Sequence, residues 1–212
     1  MKPKGYLVFH LNLAFSSIEE EAWADVIRTC YHPLLDLIEE TGVPIGIELT
    51  GWTLRQIERI DNSWIERFKT LLNSNSCELI GSGYCQIIGP LVPYKVNEWN
   101  QKLGIDAYKK ILDCRPKIVL VNEMAFSSSL VDLYSQFGYK GFIMDRDNIK
   151  LALYSSNSTS NKMPTHAKGV DGAVIPVLWS DSILFQKVQH FAHGDISIND
   201  YLGYLKNRID DG

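Results

Sequence analysis

Apolar and polar positions divide the chain into two kinds of segment. Short apolar runs bounded by polar residues are typical of buried strands, whereas longer segments with apolar residues at helical spacing are typical of amphipathic helices. Strands are predicted at residues 6–12, 43–49, 77–81, 118–121, 141–144 and 173–178, and helical segments follow all of them except the fifth. Six such units predict an α/β protein with a parallel sheet covered by helices. A barrel and an open doubly wound sheet both fit this pattern.

Breaking and capping residues predict where helices end. His32-Pro33 should interrupt the first helical segment, because proline removes a backbone donor from a helix. Thr41-Gly42 should end its second part, since glycine favours the left-handed conformation that closes many helices. The helical region after the second strand should break near Asp61-Asn62.

One connection, residues 145–172, is longer than neighbouring strands and helices require. Its polar, turn-prone segment 155–161 contains only Ser, Thr and Asn. Long loops of this kind are either functional lids or disordered connections. We interpret the segment as a mobile flap over the carboxyl end of the sheet.

Composition and charge exclude some classes of partner. The formal net charge of −4 gives no electrostatic reason to bind nucleic acid or an anionic membrane. No apolar run approaches the ~20 residues of a membrane-spanning helix, and the run from Tyr6 to Phe9 is too short for a secretory signal. The four cysteines, Cys30, Cys77, Cys85 and Cys114, form no C-x-x-C pair. This spacing favours a reduced, cytoplasmic protein with buried thiols over a disulfide-bonded one.

Polar side chains stand at or just after the predicted strand ends: His10, Asn12, Glu48, Gln86, Glu123, Asp145 with Asp147, Trp179 and Asp181. Because the carboxyl ends of parallel strands share one face, these residues are expected to surround one site. Two carboxylates with aromatic and amide neighbours suit sugar chemistry, in which one carboxylate attacks the anomeric carbon and the other transfers the proton.

Glu123 is the strongest catalytic candidate among them. It ends the apolar run 117–121 and precedes a helical pattern that begins near Ser127. Catalytic carboxylates are commonly placed at such strand ends. The alternative is that Glu123 caps a helix or forms a salt bridge in a loop.

The sequence contains no motif typical of a metal site, a serine hydrolase or a nucleotide site. The five histidines show neither H-x-H nor H-E-x-x-H spacing, so no metal site is predicted. The sequence has no G-x-S-x-G, no G-x-G-x-x-G and no P-loop lysine. We therefore expect neither a serine hydrolase nor a nucleotide site, and no cofactor.

Three of these regions resemble motifs of glycoside hydrolase family 57, which includes α-amylases and 4-α-glucanotransferases. Residues 9–12 resemble the first motif, which usually reads H-Q-P. In this chain His10 matches the histidine, while Leu11 and Asn12 stand in place of Gln and Pro. Residues 78–93 resemble the second, E-I-I-G-x-G-x-x-H-P-I-L-P-L, with Cys85 or Gln86 at the histidine. Residues 122–126 resemble the third, W-x-P-E-x-A-Y, in which Glu123 matches the nucleophile.

Residues 179–185 are similar to the family segment that follows the sixth strand and lines the substrate site. The resemblance implies a (β/α)7-type parallel barrel, with about six βα units present here, in one catalytic domain over residues 1–212. It also implies a retaining glycosidase or glucanotransferase that acts on α-glucan polysaccharides or oligosaccharides. The family's acid/base is an aspartate at the end of a seventh strand. We expect it beyond Gly212, in a part of the domain that the chain lacks.

Glu123 is thus the expected nucleophile. The expected substrate-binding residues are His10, Asn12, Glu48, Gln86, Asp145, Trp179 and Asp181. Two alternatives stay open: a metal-dependent polysaccharide deacetylase, and a carbohydrate-binding relative without catalytic activity. The sequence leaves the oligomeric state undetermined.

Overall fold

A computed structural model describes residues 6–14, 17–146 and 165–210. Its strands are β1 (Val8–Leu11), β2 (Ile45–Leu49), β3 (Cys77–Gly81), β4 (Ile118–Leu120), β5 (Gly141–Asp145), β6 (His166–Lys168) and β7 (Val174–Ser180). Its α-helices are α1 (Trp23–Val26), α2 (His32–Thr41), α3 (Gly51–Ile60), α4 (Asn62–Asn73), α5 (Tyr94–Leu112), α6 (Ser128–Gln136), α7 (Ser182–Ala192) and α8 (Ile198–Asp210). Short 3₁₀ turns lie at Glu20–Ala22, Gly89–Leu91 and Asn122–Met124.

The strands form one sheet in the order β1-β2-β3-β4-β5-β7-β6. Neighbours from β1 to β5 pair in parallel, each reached through a helical crossover. Within the described residues no pairing joins β1 to β6, so the sheet is open there. The prediction of an α/β protein with a mostly parallel sheet is confirmed, and all six predicted strands are present.

The short strand β6 was not predicted, and it pairs with β7 in antiparallel fashion. It lies at the end of the long connection between β5 and β7. Its three residues include the exposed His166 and Lys168, so it lacks the apolar run that marks a buried strand. The segment 155–161, interpreted as a flap, lies outside the described residues.

Contacts divide the chain into two compact units. The larger unit contains residues 6–143 and 165–177, and the described part of the smaller one contains residues 144–146 and 178–210. The single catalytic domain over residues 1–212 stays a prediction. No described helix is both long and apolar enough to cross a membrane.

The core of the larger unit lies around β2, whose five residues are all buried. Ile45, Ile47 and Leu49 line one face of the sheet and Gly46 and Glu48 the other, and all five are buried, as in a central parallel strand. On α4, the rings of Trp64 and Phe68 lie 4.9 Å apart and both are fully buried. This core holds the first three strands in register and so sets the positions of their carboxyl ends.

The three predicted helix boundaries are present in the structure. Gly42 follows α2 with φ +66°, and the Asp61 side chain accepts hydrogen bonds from Ser63 N and Trp64 N at the start of α4. The break at His32-Pro33 is also present, because α1 and α2 are separate helices. A π-helical turn at Ile27–Tyr31 precedes it, and Pro33 stands in the first turn of α2, where a helix needs no backbone donor.

Helix α5 packs directly on the loop that follows β3. A Cβ atom at Gly104 would lie 2.5 Å from the carbonyl carbon of Gly83 and 2.8 Å from its Cα. Gly83 itself has φ +93°, a conformation that glycine adopts without strain. The two glycines therefore allow the helix and the loop backbone to touch.

We expect Gly104→Ala to lower the free energy of unfolding by about 1–3 kcal/mol, because the added methyl group meets backbone that cannot rotate away. Urea unfolding followed by circular dichroism measures this. Gly203→Ala in α8 is the matched control: apart from its own helix, no atom of the described residues lies within 4 Å of its Cβ position. This control should raise stability by about 0.5–1 kcal/mol, since alanine is the better helix former. Equal effects of the two substitutions would contradict the close packing at Gly104.

Candidate active site

Five of the predicted site residues belong to one cluster in the larger unit. His10 and Asn12 come from β1 and the residue after it, Glu48 from β2, Gln86 from the loop after β3, and Glu123 from the turn after β4. Hydrogen bonds connect them in two groups. The carboxyl ends of four neighbouring strands thus supply the cluster, as the parallel pattern predicts.

The first group pairs His10 with Glu48. These residues are register partners on β1 and β2, and the Nδ1–H group of His10 donates to Oε2 of Glu48. The Glu48 side chain is fully buried, whereas 40% of the His10 side chain is exposed. Glu48 therefore cannot meet a ligand directly, but it orients the exposed imidazole ring and sets its tautomer.

The charge of His10 depends on nearby carboxylates. Burial lowers the pKa of His10, but its hydrogen bond to Glu48, the charge of Glu48 and that of Glu123 together raise it above the ordinary 6.5. Because folding raises this pKa, the pair adds stability that is present below pH 6.5. That stability is lost as the pH rises through the raised value.

The second group joins Asn12, Gln86 and Glu123. Asn12 Nδ2 donates to Gln86 Oε1 over 2.7 Å, and Gln86 Nε2 donates to Glu123 Oε1 over 2.7 Å. Asn12 Oδ1 in turn accepts from the backbone N–H of Ala14 over 3.1 Å. A continuous set of hydrogen bonds therefore leads from the loop after β1 to the Glu123 carboxylate.

Glu123 has a strained backbone and an exposed side chain. It adopts φ 54° and Met124 adopts φ 50°, a region that costs residues other than glycine of the order of 1–3 kcal/mol each. Backbone bonds from Met124 N to Val121 O and from Ala125 N to Asn122 O close the 3₁₀ turn around it. The turn directs the Glu123 carboxylate away from the core and leaves it accessible to a substrate.

Two residues of α5 that the sequence did not single out hold the loop after β3. The Asn100 side chain accepts from Tyr84 N and Cys85 N and donates to Cys85 O. The buried Tyr108 hydroxyl accepts from Ser82 N, directly after β3, over 3.3 Å and donates to Leu49 O at the end of β2 over 2.6 Å. One face of α5 is polar and buried. The helical spacing of its amide residues in the sequence could have revealed this face: Asn97, Asn100 and Gln101.

The remaining predicted residues, Asp145, Trp179 and Asp181, belong to the smaller unit. Asp145 is buried. Asp181 accepts from Ile183 N and Leu184 N at the start of α7 and lies 3.7 Å from an Arg146 guanidinium nitrogen. Helix capping thus accounts for at least one side-chain oxygen of Asp181. Asp147 lies outside the described residues.

All four cysteines are unpaired in the described part of the chain, but only Cys77 is buried. The expectation of buried thiols is wrong for Cys30, which is exposed on the π-helical turn, while Cys85 and Cys114 are half-buried. Among the described residues, no three His, Cys, Asp or Glu side chains are arranged to hold a metal ion.

Comparisons with known proteins agree with the fold. The family model described as glycosyl hydrolase family 57 matches residues 7–210. No curated protein matches the chain.

Among solved structures, a 4-alpha-glucanotransferase from Thermococcus litoralis superposes with a TM-score of 0.72 and 17% identity, over 94% of this chain and 31% of that one. The alpha-amylase AmyC from Thermotoga maritima superposes with a TM-score of 0.67 and 14% identity, over 89% of this chain and 47% of that one. A GH57-type branching enzyme from Pyrococcus horikoshii superposes with a TM-score of 0.59 and 18% identity, over 84% of this chain and 46% of that one. At these identities the likeness shows the fold alone, and the chain spans less than half of each structure.

We expect Glu48→Gln to lower the pKa of His10 below 6.5, because the substitution removes the carboxylate while the burial stays. The Cε1–H resonance of His10, followed by NMR as a function of pH, measures this. Glu58→Gln is the control, since Glu58 is an exposed residue of α3. An unchanged His10 midpoint in Glu48→Gln would show that the pair does not set this charge.

Proposed function

The chain belongs to glycosyl hydrolase family 57, and on this premise we propose that the protein is a retaining glycoside hydrolase or glucanotransferase acting on α-glucan polysaccharides or oligosaccharides. The observation that carries the proposal is the accessible Glu123 carboxylate after β4, hydrogen-bonded to Gln86 and close enough to His10 to raise its pKa. The family model covers nearly the whole chain. Because the chain spans less than half of the solved relatives, the activity refers to the protein that contains it.

In the proposed mechanism, a Glu123 oxygen attacks the anomeric carbon and displaces the leaving oxygen, which gives a covalent glycosyl-enzyme. A second carboxyl, about 5–5.5 Å from Glu123, protonates that oxygen and later deprotonates the acceptor. We propose an aspartate for this role, following the family pattern. Attack by water on the intermediate gives hydrolysis, and attack by a sugar hydroxyl gives transfer.

The other cluster residues are proposed to serve the substrate. His10, held by Glu48, is positively charged over a wider pH range than a free histidine, so its outer ring nitrogen can donate to a sugar hydroxyl. Asn12 and Gln86 border the same side of Glu123. For three predicted residues outside this cluster we propose contacts to sugar hydroxyls from Asp145 and Asp181, and a stacking face from Trp179.

The alternatives receive less support. A metal-dependent deacetylase needs an aspartate and two histidines on one metal ion, and the described residues provide no such group. A carbohydrate-binding relative without catalytic activity is separated from the enzyme by the experiment below. We also propose a cytoplasmic location, which the unpaired cysteines support.

We expect a fluoro-glucosyl fluoride to label the wild-type protein on Glu123, since the fluorine slows breakdown of the covalent intermediate. Glu123→Gln should take up no label, because a neutral amide is a poor nucleophile. Mass spectrometry of the intact protein and of its peptides measures both. Glu40→Gln, an exposed residue of α2, is the matched control and should label like the wild type.

Equal labelling of Glu123→Gln would remove Glu123 from the nucleophile role. A wild-type protein that binds α-glucan but shows neither label nor turnover would be a binding relative instead.

A further inference from the structure

The hydrogen bonds that end on Glu123 have a fixed direction. Each side-chain amide has one donor end and one acceptor end. The backbone N–H of Ala14 donates to Asn12 Oδ1, which leaves Nδ2 of Asn12 to donate to Gln86 Oε1. Nε2 of Gln86 is then the end that faces the carboxylate. Reversal of either amide would set two donors or two acceptors against each other.

We propose that Asn12 is a positioning residue, which acts through Gln86 to present a hydrogen-bond donor to the Glu123 carboxylate and to hold that carboxylate in one orientation. We name the set Asn12, Gln86 and Glu123 the amide relay. This role rests on the proposed function of Glu123 as the nucleophile. It differs from a sugar-binding role, because the polar ends of Asn12 are directed to Ala14 and Gln86.

The amide relay restricts the orientation of the Glu123 carboxylate. An exposed glutamate samples several rotamers, and here the backbone also lies in the left-handed region. Among the described residues, the hydrogen bond recorded for this carboxylate comes from Gln86. A bond between an amide donor and a carboxylate is charge-assisted and therefore stronger than a neutral one. It can select one orientation of the carboxylate before a substrate arrives.

The far end of the relay is rigid. Cys85, next to Gln86 in sequence, is bound through its N–H and C=O groups to the Asn100 side chain, with distances of 2.7 and 3.0 Å. Asn12 follows β1 directly and is bound to the loop backbone at Ala14. The two amides thus come from backbone segments with little freedom to drift apart.

Both amides also stand where the chain departs from the motifs it resembles. Asn12 occupies the position of a proline, and Gln86 lies at or beside that of a histidine. Proline has no side-chain donor, so it could not orient an amide at position 86. The hydrogen bond between Asn12 and Gln86 accounts for both departures together.

The experiment compares Asn12→Ala with Asn12→Asp in the full protein. Aspartate is nearly the same shape as asparagine and can still accept from Ala14 N, but it cannot donate to Gln86 Oε1. In Asn12→Asp, the Gln86 amide should turn its Nε2 towards the introduced carboxylate and set Oε1 against the Glu123 carboxylate. In Asn12→Ala, Gln86 loses its partner but can still donate to Glu123.

We expect the rate constant for labelling by the fluoro-glucosyl fluoride to fall by up to about tenfold in Asn12→Ala, which corresponds to the loss of one neutral hydrogen bond, that between Asn12 and Gln86. Asn12→Asp should be slower again by about tenfold. The half-saturating concentration should change little, since the relay acts on the attack rather than on binding. A merely structural role predicts the opposite order, with the isosteric aspartate milder than alanine.

A measurement independent of activity follows the side-chain amide of Gln86. Its ¹H–¹⁵N resonances, identified by their loss in Gln86→Ala, should exchange slowly with solvent in the wild type and faster in both Asn12 variants. Asn62→Asp, an exposed residue at the start of α4, is the matched control for an asparagine-to-aspartate change and should alter neither readout.

The outcomes are separable. If the wild type takes up no label, the proposed function fails, and amide exchange still decides whether the relay exists. Unchanged Gln86 exchange in both Asn12 variants would overturn the relay. Faster exchange together with labelling of Asn12→Asp no slower than that of Asn12→Ala would overturn the positioning role.

Discussion

The loop that follows β3 is held by hydrogen bonds from α5 and from the first residues of α3, Gly51 and Trp52, and these bonds place the candidate site. Once the chain leaves β3, its backbone groups have no neighbouring strand to pair with, and buried backbone groups must find other partners. Asn100 bonds to Tyr84 and Cys85, and Tyr108 bonds to the end of β2. Gly104 lets the helix approach closely enough for both. Gln86 then emerges from a fixed loop and reaches Glu123.

Several features of the site lower the stability of the fold. Glu123 adopts an unfavourable backbone conformation, and Glu48 is a fully buried carboxylate, which is costly unless it is well paired. His10 supplies that pairing for one oxygen. Among the described residues, five buried side-chain atoms have no hydrogen-bond partner, and three of them are Glu48 Oε1, Ser82 Oγ and Asn122 Oδ1. All three come from the carboxyl ends of β2, β3 and β4. Such concentrated departures from packing rules are typical of functional sites, not of a structural core.

The two hydrogen-bonded groups of the cluster act on the Glu123 carboxylate in different ways. In the His10–Glu48 pair, the raised pKa keeps the His10 ring protonated to higher pH, while the amide relay offers a neutral donor with a fixed direction. A charge acts over several ångströms and tolerates small shifts, whereas a hydrogen bond requires close alignment. The structure therefore joins a long-range electrostatic effect with a short-range geometric one.

Local patterns in the sequence determined the strand–helix succession, the extent of β3 and the ends marked by Gly42 and Asp61, because short apolar runs and capping residues act between near neighbours. They also identified the polar strand ends, including His10, Glu48 and Glu123. The tertiary structure alone decided which of those ends meet: Asn12 and Gln86 are 74 residues apart, and their bond depends on the parallel register and on α5. It alone revealed β6, whose polar residues pair only because β7 lies beside them. Side-chain partners across a fold follow from packing in three dimensions, and no period along one chain encodes them.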